Sequence, residues 1–213
     1  MIRIKHFFQQ SWLLIVASFA FGLLIAVANA RWSDEIEWNK TEKLNRLSSA
    51  LLPEARLELY AEVEIELDKG KKRKVKLREA VSRAGDRLGW TFEAAGSGFQ
   101  DKIELVIALD KDLKTIVGYK VLSCNETPGF GDQIKDKYLR EQFKDAPIGK
   151  FKPVKRGEAD PEKTDSEIVT ITGATVSSEA VVKIFNVYVE KVKGKIEELV
   201  QKKKGQISDD KEG

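Results

Sequence analysis

Residues 12–30 read Trp-Leu-Leu-Ile-Val-Ala-Ser-Phe-Ala-Phe-Gly-Leu-Leu-Ile-Ala-Val-Ala-Asn-Ala, a run of 19 residues without a charge. As a helix it extends roughly 28 Å, close to the hydrocarbon thickness of a bilayer, and its backbone groups would be satisfied internally. Arg3 and Lys5 precede the run, and Trp12 and Trp32 bracket it as interfacial anchors do. A membrane anchor is the expectation. A cleaved signal peptide is the competing reading, because Ala28-Asn29-Ala30 has the small-x-small form. The run exceeds the usual length of a signal h-region, which favours the anchor. Arg31, Lys40, Lys43 and Arg46 follow the span, so basic residues alone do not orient it. Long domains translocate largely regardless of charge, and a short basic tail stays inside. The expected location is therefore the cytoplasmic (inner) membrane, single-pass, with the rest of the chain on the periplasmic or outer side.

The chain has 213 residues, enough for such an anchor and one domain of about 100–150 residues. With 42% hydrophobic and 33% charged residues the chain has the composition of a folded protein. Net charge is +3, which calls for no nucleic-acid partner. The scarce residues restrict the chemistry further. The only histidine is His6 and the only cysteine is Cys124. A Ser-His-Asp triad, a histidine-based metal site, an internal disulfide and a cluster held by several cysteines are all excluded within the chain. Any redox chemistry has to come from an organic cofactor or a partner.

The organisation expected is a tail and anchor over 1–30, a helical connector over 31–56, a globular domain over 57–203 and a charged tail over 204–213. Residues 57–67 alternate strictly between apolar and polar, the pattern of a half-buried strand, and residues 73–78 alternate back after a turn at 68–70. Glu58, Glu62, Glu64 and Glu66 on one strand would face Lys and Arg on the other, which accounts for the basic run 71–76 without a ligand. Residues 89–94, 103–109 and 113–122 read as further strands, and 167–171 as the last. Gly96-Ser97-Gly98 precedes a strand and not a helix, so it fits no phosphate-binding fingerprint; a hairpin entry is expected, with backbone approach to a flat ligand left open. A helix is expected over 133–143. A longer one, over 179–200, presents Val181, Ile184, Phe185, Tyr188, Val192 and Ile196 on one face. The fold class is α+β: an antiparallel sheet with packed helices behind a transmembrane helix.

Two segments carry chemistry. Glu126-Thr127-Pro128-Gly129-Phe130-Gly131 follows a strand; Pro128 fixes one backbone angle, while Gly129 and Gly131 permit tight turns and close approach to a ligand. Thr172-Gly173-Ala174-Thr175-Val176-Ser177-Ser178 leads into the long helix, where free N–H groups and the macrodipole favour an anion. Taken singly, the first is a well-made turn and the second a hydroxyl run in which Ser177 or Ser178 caps a helix.

Together, in this order, they resemble the FMN-binding domain family, which includes the G subunit of the Rnf ion-translocating electron transport complex and the C subunit of the sodium-pumping NADH:quinone reductase. The resemblance implies an FMN-binding domain over 57–203 and a cofactor joined covalently. In that family a separate flavin transferase takes FMN from FAD and esterifies its phosphate to the last threonine of the Ser/Thr-Gly-Ala-Thr segment, here Thr175. Glu126, Thr127, Gly129, Phe130, Gly131, Thr172, Gly173, Ala174 and Ser177 are then the expected cofactor contacts, with no catalytic residue and no metal. The partners implied are the other subunits of a membrane electron-transport complex, the transferase and the bilayer. Two positions depart from the family pattern: Val169 stands where an aspartate is usual, and Cys124 where many relatives have histidine. The function implied is that of a membrane-anchored electron-transfer subunit. A flavin-containing redox sensor or regulatory module and a non-flavinylated structural adaptor are the alternatives.

Overall fold

In a computed structural model the described residues are 2–67, 70–163 and 166–212, with side chains described from 11 to 203 within those ranges. The turn expected at 68–70 falls partly outside them. The chain divides after Lys43 into two compact units. The first belongs to α1 (Ile2–Leu51). Among the described residues α1 is the one helix long and apolar enough to cross a membrane, with a mean hydropathy of 2.4 over its most apolar window and none of that window buried.

The second unit is built on a sheet of six antiparallel strands in sequence order. These are β1 (Arg56–Glu66), β2 (Lys72–Val81), β3 (Arg87–Ser97), β4 (Lys102–Asp110), β5 (Thr115–Cys124) and the short β6 (Ala146–Pro147). The first hairpin has the register that the charge pattern predicts: Glu62 lies opposite Lys76, Glu64 opposite Lys74 and Glu66 opposite Lys72. Glu58 is the exception. It faces Glu79, whose carboxylate is taken by Arg87.

Both faces of the sheet are covered. On one lies α3 (Thr175–Glu212), whose Val181, Phe185, Val189, Val192 and Ile196 are completely buried. They pack with Phe92, Ile103, Leu105, Ile107 and Ile116 of the strands. Tyr188 adds a directed contact, its hydroxyl donating to the Ala95 carbonyl at 3.0 Å. At Gly96 the helix comes so near that an added Cβ would lie 2.7 Å from Ile184 Cγ1. On the opposite face Leu44 of α1 packs with Val106 and Leu122, and Leu52 packs with Ala80 and Ala108. The alternation of β4 explains the two layers: odd positions from Ile103 to Leu109 face α3, while Val106 and Ala108 face the end of α1.

The single helix expected at 133–143 is split. A 3-10 turn (Gly131–Lys135) precedes α2 (Lys137–Gln142), with Asp136 in an extended conformation between them. The strand expected at 167–171 is present as β8 (Glu167–Val169), and it pairs in parallel with a three-residue strand that was not expected, β7 (Lys152–Val154), as a second sheet. Gln142 fixes β8 from the side: its Oε1 accepts the Val169 N–H at 2.7 Å and its Nε2 donates to the Val169 carbonyl at 3.1 Å.

Under α3, Tyr119 and Phe151 meet Phe143 and Phe185 edge-on, and the last two rings stack at 4.1 Å. Tyr119 donates to the Ile134 carbonyl at 3.0 Å, and burial pushes its phenol far above the ordinary value. Above about pH 10 the unfolded tyrosine loses its proton while the folded one keeps it, so stability present below that pH is lost as pH rises. Urea midpoints of the detergent-solubilised chain should fall from about pH 10 upward, and Tyr119→Phe should flatten that fall while costing about 1 kcal/mol at neutral pH. Gly96→Val should destabilise by about 1–3 kcal/mol in the same assay, because the added carbons have to displace Ile184.

Candidate functional site

The Thr127-Pro128-Gly129-Phe130 stretch forms a turn closed by the Phe130 N–H donating to the Thr127 carbonyl at 3.1 Å. Gly129 takes φ 77°, the value a type II turn demands at that position, so Pro128 and Gly129 act as expected. The turn lifts the Phe130 side chain into solvent, where it stays 58% exposed. Gly131 is needed for closeness: an added Cβ would lie 2.6 Å from Ser177 Oγ and 2.7 Å from Glu126 Oε2.

The second segment enters from β8. The Thr170 N–H bonds to the Val154 carbonyl at 2.8 Å, and the Ala174 N–H bonds back to Ile171 at 2.9 Å. Gly173, at φ 83°, reverses the chain under the Phe130 ring. α3 begins at Thr175, a full turn before the expected start at Glu179. Ser177 and Ser178 are therefore inside its first turn and do not cap it from outside. The hydroxyl of Ser178 reaches back, accepting the Ile171 N–H at 3.2 Å and donating to the Ala174 carbonyl at 2.9 Å. Among the described residues no protein acceptor meets the N–H groups of Thr175, Val176 and Ser177.

The two segments meet across 51 residues through one bond, in which Ser177 Oγ donates to Glu126 Oε2 at 2.8 Å. Between them opens a cleft of about 340 Å³, in the range of small-molecule sites. Of the expected contacts it brings together Glu126, Thr127, Phe130, Gly131, Gly173, Ala174, Thr175 and Ser177. Thr172 does not face it. That residue lines a neighbouring hollow with Tyr138, Arg156 and Thr170. Gly129 lines neither, and its carbonyl accepts from Gln133 Nε2 at 2.6 Å.

Two lining residues, Phe99 and Val176, lie outside the expected set. Phe99 is 71% exposed and follows Gly96-Ser97-Gly98; an aromatic residue in a glycine turn is the signal the sequence offers for it. Its turn is tied to the loop by Asn125 Nδ2 donating to Asp101 Oδ2 at 2.7 Å and by Thr127 Oγ1 bonding Gln100 Oε1 at 3.2 Å. The Asn125 amide, with the Lys102 backbone, holds the Asp101 carboxyl below its usual range. Phe99, Phe130 and Val176 thus put exposed apolar surface around Thr175, which is half buried at the end of a helix with open N–H groups. The arrangement suits a flat ring joined to an anion.

Residues 98–190, which span this cleft from Phe99 to Ser177, match the family described as FMN-binding domain. A protein named as the G subunit of an ion-translocating oxidoreductase complex, from Methanosarcina acetivorans, is 27% identical over 169 residues, 79% of this chain and 85% of its own length. A protein named as the G subunit of a proton-translocating ferredoxin:NAD(+) oxidoreductase complex, from Clostridium ljungdahlii, is 33% identical over 114 residues, covering 53% of this chain and 58% of its own. Among solved structures, the C subunit of the Na(+)-translocating NADH-quinone reductase from Parabacteroides distasonis shares the fold, with a TM-score of 0.53, 18% identity, and coverage of 76% of this chain and 92% of that one. Residues 98–190 thus match an FMN-binding domain, which follows an apolar helix in the chain, and the chain is homologous to the G subunits of Rnf-type ion-translocating oxidoreductase complexes.

Proposed function

We propose that this chain is a membrane-anchored electron-transfer subunit carrying FMN esterified to Thr175, with its domain on the outer side of the cytoplasmic membrane. It works beside the other subunits of an Rnf-type complex. One observation carries the reading: Thr175, two exposed aromatic side chains and the open N-terminus of α3 converge on one cleft.

The residues present fit the group. The N–H groups of Thr175, Val176 and Ser177 are free to bind phosphate oxygens at the positive end of α3. Gly131, Gly173 and Ala174 keep the floor low, and Phe99 and Phe130 offer apolar faces that exclude water from a flat ring. FMN supplies the one- and two-electron carrier chemistry that this chain's own side chains lack. In the attachment, the Thr175 oxygen replaces AMP on the FMN phosphate of FAD, releasing AMP and the hydroxyl proton.

Co-expression of the full chain with a flavin transferase, followed by denaturing electrophoresis, tests the reading. The wild-type band should fluoresce, Thr172→Ala should fluoresce equally, and Thr175→Ala should be dark. Fluorescence in Thr175→Ala would refute the assignment, and a dark wild type beside an active transferase would favour the structural adaptor.

A further inference from the structure

Glu126 lines the cleft, yet its carboxylate is engaged by the protein. The residue is 5% exposed. Its Oε1 accepts the N–H groups of Gln100 and Asp101 at 3.2 and 3.4 Å, and its Oε2 accepts the Ser177 hydroxyl at 2.8 Å. Accepting three hydrogen bonds and donating none is the inventory of a carboxylate. Two glycines close around it. A Cβ on Gly98 would lie 2.1 Å from Oε1, and one on Gly131 would lie 2.7 Å from Oε2. Among the described residues no lysine or arginine pairs with it, so amide dipoles, one hydroxyl and the N-terminal end of α3 hold the charge.

The three segments joined at this carboxylate are far apart in sequence, and each carries one part of the cleft. The turn at 97–101 bears Phe99, the loop at 126–131 bears Phe130, and the first turn of α3 bears Thr175. We propose that Glu126 is a positioning residue: its carboxylate clamps these segments together so that Phe99, Phe130 and Thr175 keep one mutual arrangement. Its consequence for flavin attachment rests on the FMN reading of the site, whereas the clamp itself does not.

The clamp is tested on the full-length chain, first without flavin. Exchange of the Gln100 and Asp101 amides should quicken about tenfold in Glu126→Ala and stay near wild type in Glu126→Gln, which keeps an acceptor for both amides and a donor for Ser177. Amides of β4 should not change. If Glu126→Ala exposes β4 as well, Ser177→Ala removes only the Oε2 bond and should still quicken Gln100 and Asp101. Unchanged exchange there would overturn the clamp. With the transferase added, the initial rate of attachment should fall about tenfold in Glu126→Ala and return to within about twofold in Glu126→Gln. Attachment at the wild-type rate in Glu126→Ala, or a Glu126→Gln variant as impaired as Glu126→Ala, would also overturn it. A wild type that takes no flavin but shows the expected exchange pattern would remove the FMN reading and leave the clamp standing.

Discussion

The seam between α3 and the sheet decides where everything else in the domain can lie. Val181, Phe185, Val189, Val192 and Ile196 are withdrawn from water along one helix face, at about 1.5–3 kcal/mol for each large side chain buried. Tyr188 adds register by bonding to Ala95, and Gly96 allows the close approach at Ile184. A helix held along its length in this way has a fixed first turn. Thr175 and its free amides are thereby presented at the end of the sheet where β5 gives way to the glycine loop. The cleft follows from that placement, since the loop and the Phe99 turn need only reach across to Ser177.

Much of this is legible in the chain because the signals are local. Alternation marks β1 and β2, and the facing charges set their register, because a half-buried hairpin exposes one side of each strand. The Pro-Gly pair marks its turn through a backbone angle that only a few residues accept. What stays hidden is non-local. β7 is three residues long and exists only because it pairs with β8, the one of the two strands that the sequence shows. Phe99 joins the site through the bonds of residues 100 and 101 to partners 24 to 27 residues away, which no window of sequence contains. Thr172 stands beside Gly173 in sequence, but the reversal at that glycine turns it into the neighbouring hollow. The start of α3 is masked because Thr, Val and Ser are modest helix formers; packing of Ala180 and Val181 carries the helix back through them.

Val169 has a packing role in this chain. It is fully buried, lies opposite Val154 in the small parallel sheet, and has both its backbone groups taken by Gln142. An acid at that position would have to be desolvated. The apolar residue instead anchors the strand from which the Thr172–Ser178 segment turns, so that segment is held from behind by β8 and from in front by Glu126. Cys124, half buried at the end of β5, does not line the cleft.

The account turns on one covalent bond at one oxygen. Cleavage after Lys163 and Lys183 yields a peptide that contains Thr170, Thr172, Thr175, Ser177 and Ser178, so every hydroxyl of the segment is tested together. Peptide mapping with fragmentation, on the full chain co-expressed with a flavin transferase, should find that peptide heavier by one esterified FMN and should assign the addition to Thr175. An unmodified peptide, or an addition assigned to any of the other hydroxyls, would contradict it.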